Sequence, residues 1–200
     1  GLHTFNVALT GTYKLTACGA GGANGKRMGG GLCYGASGGV TTAYVHLDKG
    51  QTIYAAVGQG GYTGGYDYRW NGGGAAHAVG DRYCGNGGGA TNFALTKRGD
   101  GQLYNYSSYQ SEVILVAGGG GGGGEYGNGE SGNGSGGASF GLGGNAGQYG
   151  AGGGGGWIGG AASDSGGRGG TGYLNPNLTT NGTITQGGGG GAAYIEYVPK

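Results

Sequence analysis

Ser111-Glu112-Val113-Ile114-Leu115-Val116-Ala117-Gly118-Gly119-Gly120-Gly121-Gly122-Gly123-Gly124 is the stretch on which the fold turns. Its first half carries five apolar residues in a row. A run that short, bounded by turn-forming residues, reads as a strand buried on both faces. Its second half has no side chains. Seven glycines gain nothing from hydrophobic burial, and their only strong groups are backbone N–H and C=O. In an extended threefold helix of the polyproline-II type these groups point outward in three directions, and seven residues span about 22 Å at about 3.1 Å per residue. Water can satisfy them, which makes a flexible tether. Neighbouring glycine helices can satisfy them instead, because without Cβ atoms they pack closely. Each hydrogen bond gives a net of about 1 kcal/mol, against roughly 1–2 kcal/mol of backbone entropy per residue. A lone pair of such helices therefore fails. A bundle with several neighbours per helix, walled by aromatic and aliphatic side chains, can hold.

The rest of the chain supplies such a bundle. Glycine fills 64 of 200 positions and clusters at 19–31, 58–65, 72–76, 85–89, 118–124, 132–137, 141–156, 166–170 and 187–191. The tracts carry Tyr62, Tyr66, Tyr68, Trp70, Tyr126, Phe140, Leu142, Tyr149, Trp157 and Ile158, which a tether does not need and a bundle can use as walls. Between the tracts lie alternating segments. Phe5, Val7 and Leu9 share one face, as do Tyr13, Leu15 and Ala17. In 40–48, Val40, Thr42, Tyr44 and His46 oppose Thr41, Ala43, Val45 and Leu47. Thr52–Val57, Thr91–Leu95 and Ala192–Val198 are further strands. The expectation is one domain over 1–200, mainly β and antiparallel. Strands occupy 1–57, 91–117 and 192–198, and glycine helices occupy 19–31, 58–90 and 118–191. Glycine at this density excludes an α-helical protein, and the absence of a G-X-Y period excludes collagen. No run of about 18 apolar residues offers a membrane helix. Ten basic against nine acidic residues argue against nucleic acid as a partner.

Little in the sequence points to chemistry. Asp67, Asp81, Asp100, Glu112 and the other acids are dispersed, and no G-x-S-x-G elbow orders a nucleophile. The histidines are far apart and no CxxC occurs, so neither metal nor cofactor is expected. Cys18, Cys33 and Cys84 allow one disulfide, with Cys33–Cys84 preferred over Cys18–Cys33, or three inert thiols. The start at Gly1, with neither initiator Met nor signal peptide, suggests a processed or excised piece. Tyrosine is the informative side chain, at 16 residues. Tyr62, Tyr66, Tyr68, Trp70 and Tyr83 cluster with Asp67, Arg69 and Arg82, and Tyr104, Tyr106 and Tyr109 form a second group. Tyrosine among glycine, serine and asparagine makes adaptable recognition surfaces, walls for the bundle, or contacts between subunits.

Tyr13-Lys14-Leu15-Thr16-Ala17-Cys18-Gly19-Ala20, Ile53-Tyr54-Ala55-Ala56-Val57-Gly58-Gln59-Gly60-Gly61 and Gly87-Gly88-Gly89-Ala90-Thr91-Asn92-Phe93-Ala94 follow one another in a recognisable order. Val113–Gly121, Gly152–Trp157 and a closing strand at Tyr194-Ile195 continue it. This order resembles the glycine-rich extracellular domain of the anaplastic lymphoma kinase and leukocyte tyrosine kinase receptors. Similar domains occur in bacterial surface proteins and phage tail-fibre adhesins. The resemblance implies a small tumour-necrosis-factor-like sandwich, a jelly roll carrying polyglycine-II helices. Three cysteines are few for a receptor ectodomain, so cytokine binding does not carry over. The function expected is that of a non-enzymatic extracellular or surface module. One version is a self-assembling fibre subunit pairing with copies of itself through Thr4–Leu9 and Ala192–Val198. Another is an adhesin recognising a glycan or protein through its Tyr/Trp loops. Ice binding is a third class, which the many tyrosines argue against.

Overall fold

The computed structural model of the chain describes residues 1–27, 29–64, 66–79, 82–147 and 150–200. Gly65, Asp81 and Tyr149, named above, lie outside the described residues, as does the side chain of Arg82. The strands are β1 (Leu2–Asn6), β2 (Gly11–Cys18), β3 (Gly25–Lys26), β4 (Leu32–Cys33), β5 (Gly38–Leu47), β6 (Thr52–Ala56), β7 (Ala78–Val79) and β8 (Arg82–Tyr83). They continue as β9 (Thr91–Ala94), β10 (Val113–Ala117), β11 (Gly137–Phe140), β12 (Ile158–Gly160), β13 (Tyr173–Leu174), β14 (Thr179–Gly189) and β15 (Ala192–Val198). Short 3-10 turns at Leu103–Tyr106 and Gln110–Glu112 are the helical elements among the described residues.

Two antiparallel sheets hold most of the long strands, in the orders β1-β6-β9-β10-β13 and β14-β5-β2-β15. Their side-chain periodicity is that of the sequence. Tyr13, Leu15 and Ala17 of β2 are buried, and opposite them β5 buries Val45, Ala43 and Thr41. All of these but Thr41 meet Ile53, Phe93 and Leu115 of the other sheet in one hydrophobic cluster. Each fully buried Leu15, Ile53, Phe93 and Leu115 contributes about 1.5–3 kcal/mol relative to exposure. β10 is buried along its whole length. Ile114, Leu115 and Ala117 join the cluster between the sheets. Val113 and Val116 join a second cluster with Ala90, Ala94, Leu103 and Tyr106. Phe140, Trp157 and Tyr173 cover that second cluster, with the Trp157 and Tyr173 rings stacked at 3.6 Å.

Beyond Ala117 the glycine run enters a layer that is neither helix nor sheet. Its hydrogen bonds recur every third residue. The N–H groups of Gly119 and Gly122 donate to Gly155 and Gly152, and those of Gly120 and Gly123 to Ala20 and Ala23. Gly121 donates to Glu130 and Gly124 to Gly127, while Gly118 donates to the Asn133 side chain. The carbonyls of Gly119 and Gly122 accept from Gly170 and Gly167, those of Gly120 and Gly123 from Gly88 and Gly85, and those of Gly118 and Gly121 from Gly39 and Ala36. Six neighbouring segments thus surround this run, 19–25 parallel to it and the other five antiparallel. A Cβ on any of Gly118 to Gly124 would collide with a neighbour's main chain, at Gly170, Gly88, Ala36, Gly167, Gly85, Cys33 and Asp164 in turn. Glycine is required here by space.

Three expectations are corrected. The first strand ends at Asn6, and Leu9 is exposed. The chain turns there because Val7 exchanges hydrogen bonds with Gly50 and Gln51, and the Tyr13 hydroxyl donates to the Leu9 carbonyl. The stretch 118–191 is not all glycine layer, since it contains β11 to β14. Its longest strand, β14, pairs with β5 through Thr179, Thr180, Thr183, Ile184 and Thr185, β-branched residues suited to a sheet. The third concerns Cys33 and Cys84, which carry thiols and form no disulfide. β3 runs between them, with Gly25 opposite Cys33 and Lys26 opposite Tyr83. Two strand spacings separate the cysteine backbones by about 10 Å, beyond the roughly 7 Å a disulfide spans. Burial pushes the Cys84 thiol up to about 11.

Candidate functional site

The loops of the two tyrosine groups, with Tyr68 and Tyr104 36 residues apart in sequence, meet in space through Asn71. The chain reverses tightly at 69–73, where Arg69 N–H donates to the Gly73 carbonyl and Gly73 N–H returns to Arg69. Asn71 and Gly72 take φ values of 67° and 94°, a left-handed conformation that Asn and Gly reach at least cost. The Asn71 side chain is fully buried. Its Nδ2 donates to the Ala90 carbonyl at 2.7 Å and to Asn92 Oδ1 at 2.8 Å. Its Oδ1 accepts from Leu103 N–H at 2.7 Å, and its own N–H donates to Gln102 Oε1 at 2.8 Å. The second loop is braced in turn by Asp100, which accepts from the Gln102 backbone, the Gln102 amide and the Asn105 amide. Burial alone would raise the Asp100 carboxyl. These donors outweigh it and hold the group below its usual value.

The junction leaves a cleft of about 300 Å³ lined by Tyr68, Arg69, Gly72, Gln102, Tyr104 and Leu142. Tyr68 is fixed by its hydroxyl, which accepts from Asn145 Nδ2 at 2.6 Å. Arg69 Nε donates to the Gly60 carbonyl at 2.8 Å, and the guanidinium lies 4.4 Å from the Tyr62 ring centroid. The terminal nitrogens of Arg69 have no acidic partner among the described residues. The cleft thus combines aromatic walls, a fixed amide and a cation without an acidic partner among the described residues, on a braced frame.

The other predicted residues distribute around it. Tyr62 is exposed and lies under the Arg69 guanidinium. Tyr66 turns away, its hydroxyl donating to the Ala78 carbonyl and its ring meeting His77 edge-on. Tyr83 lies under Lys26. Trp70 is half-buried and bonded through its backbone to Gln59. Tyr109 is exposed beneath Arg98, 3.6 Å from its guanidinium carbon, and Arg98 is clamped by Glu112. Tyr106 is a correction, because it is fully buried and its hydroxyl donates to the Thr96 carbonyl. In the 3-10 turn Leu103–Tyr106 the first and fourth side chains eclipse. Leu103 and Tyr106 therefore both face the core, and Tyr104 points out. Asn71 and Gln102 were not among the predicted site residues, and Arg69 was named only as a neighbour of the first tyrosine group. The Asn71-Gly72 dipeptide, a turn signal, was the available clue.

Two other openings exist. One, of about 530 Å³, lies between the sheet edges β1 and β15 and is lined largely by apolar residues including Phe5, Val57, Phe93 and Ile195. The other is a polar hollow of about 320 Å³ around Glu130 and Arg168. There Glu130 Oε1 already accepts from Ser135 and Gly169. Among the described residues no three His, Cys, Asp or Glu side chains are grouped to hold a metal. Compared with models of known protein families the chain matches none, and it matches no curated protein sequence.

Proposed function

We propose that the chain is a non-enzymatic recognition module of an extracellular or cell-surface protein, in which a stiff polyglycine-II layer on a small jelly-roll-like sandwich presents the Tyr68–Tyr104 cleft to a glycan or protein. The observation that carries this reading is the cleft itself, built from two distant loops through the four hydrogen bonds of Asn71. A preorganised site binds without the entropic cost of ordering its loops, and a glycine layer whose 118–124 run has six hydrogen-bonded neighbours is a stiff base for it. The period-three hydrogen bonding supports the polyglycine-II reading. Two sheets over one core support the sandwich, and both features fit the resemblance to glycine-rich receptor and adhesin domains. The test is retention of the labelled chain on a glycan array and on cell surfaces. Tyr104→Ala, at an exposed position, abolishes retention while leaving the thermal midpoint unchanged. Retention that survives this variant would remove the cleft from the account.

Self-assembly into a surface fibre is a second reading, favoured by a separate observation. β1 and β15 are the outer strands of their sheets and flank the apolar opening between them. Outer strands with open edges can add a strand from another copy. Concentration-dependent filaments in electron micrographs would support it, and a monodisperse monomer at high concentration would exclude it.

A further inference from the structure

We infer that the Tyr68–Tyr104 cleft takes a carboxylate-bearing sugar, an acidic pyranose, with Arg69 holding the carboxylate. The inference rests on the recognition reading and deepens it. Size argues first. About 300 Å³ is the low end of ligand pockets, room for a single ring and its substituents rather than a helix or a folded surface. The walls argue next. Tyr68, Tyr104 and Leu142 present flat or apolar faces suited to the C–H face of a pyranose, and the Gly72 wall carries no side chain. A Cβ at Gly72 would meet the Gly141 carbonyl.

Charge decides between neutral and acidic sugars. Arg69 is the cation lining the cleft, and one of its five N–H donors is spent on Gly60. The guanidinium carbon lies over the Tyr62 ring at 4.4 Å, and the terminal nitrogens are donors of the planar, forked kind that suits bidentate carboxylate recognition. Among the described residues no acid is paired with Arg69. Asp100 is turned to Gln102 and Asn105, which occupy both of its oxygens. The Gln102 amide is neutral and already held, its oxygen accepting from Asn71 N–H and one of its two N–H donors given to Asp100. Of the described residues lining the cleft, Arg69 is therefore the side chain with charge-bearing donors to spare.

The test compares two sugars that share a ring and differ in the carboxylate, methyl β-glucuronide and methyl β-glucoside. Both are titrated into the whole chain by NMR or calorimetry. The expected result is binding of the glucuronide about tenfold or more tighter than the glucoside, the scale of a charge-assisted pair. Arg69→Met erases the preference, Arg69→Lys keeps part of it, and Tyr104→Ala abolishes binding of both. Far-UV circular dichroism and the thermal midpoint are followed for each variant, and the lysine variant keeps the test valid if the methionine variant loosens its loop. Equal affinity for the two sugars, lost in Tyr104→Ala, overturns the acidic ligand and leaves the recognition cleft standing. Retention on cells that depends on Tyr104, with neither sugar bound, does the same. No Tyr104-dependent binding to sugar, array or cell overturns both.

Discussion

Gly121 lies at the middle of the glycine run, and replacing it with alanine asks directly whether main chain forms a solid interior. The new Cβ would overlap the Gly167 carbonyl and the adjoining Arg168 nitrogen. Both are backbone, so no side chain can swing aside and the two segments must separate. Overpacking of this kind costs about 1–3 kcal/mol. Separation also strains the bonds from Gly121 to Glu130 and from Ala36 to Gly121. A buried backbone group left unsatisfied costs about 1–3 kcal/mol. Against this, alanine restricts the unfolded chain and returns about 0.4–1 kcal/mol. The net loss is about 1–6 kcal/mol with a centre near 3, a sizeable part of the roughly 5–15 kcal/mol a domain possesses. At about 2–4 °C per kcal/mol for a chain of this size, the midpoint falls on the order of 10 °C. Gly190→Ala is the control, because a Cβ there meets nothing within 4 Å and the backbone is not left-handed. It is expected to be neutral or slightly stabilising. Urea unfolding followed by tryptophan fluorescence measures both. A Gly121→Ala variant as stable as Gly190→Ala would refute the reasoning.

Three further predictions concern side chains. The bond from Arg98, and then that from Thr96, hold the Glu112 carboxyl down at about 2 from 4.5. Its folded pKa lies below the unfolded one, so this stabilisation is complete above about pH 4.5 and is lost as pH falls towards 2. Urea midpoints between pH 5 and pH 2 therefore fall more steeply in wild type than in Glu112→Gln, and parallel curves would contradict the clamp. Asn133 joins the glycine layer to β5 and β14. Its Oδ1 accepts from Gly118, and its Nδ2 donates to Val40 and Thr185. Its φ of 58° adds strain for any other non-glycine residue, so Asn133→Ala is expected to lose about 2–5 kcal/mol by urea unfolding, and a loss under 1 kcal/mol would remove it as a joint. Intact mass after alkylation should find three thiols in the unfolded chain, with Cys33 and Cys84 slow to react when folded because both are buried. A mass two units lighter before reduction would restore the disulfide.

The alternating strands were legible because period-two burial is a local property. Tyr13, Leu15 and Ala17 and their partners in β5 needed only the pleat, β15 was readable for the same reason, and β10 was readable from its unbroken apolar run. β14 was hidden by its setting. Its threonines and Ile184 are good strand formers, but Gly182 and the glycines after Gln186 made it read as part of a tract. The need of the glycine run for several neighbours followed from hydrogen-bond arithmetic. Which segments would surround it did not, since glycine carries no side chain to encode a partner. The cleft was half legible. Exposed tyrosines marked the loops, but Asn71 joins them through contacts remote in sequence. Tyr106 was misread because facing inward depends on a 3-10 turn that the polar stretch around it did not announce.

Hydrogen exchange of the amides from Gly118 to Gly124 bears on the interior most directly. With every one of these N–H groups bonded to a neighbouring segment, exchange requires the layer to open, and protection of about three orders of magnitude or more over an unstructured peptide is expected. Rates within a few-fold of the unstructured peptide would mean that the run is a solvated tether and that the layer holding the cleft does not exist.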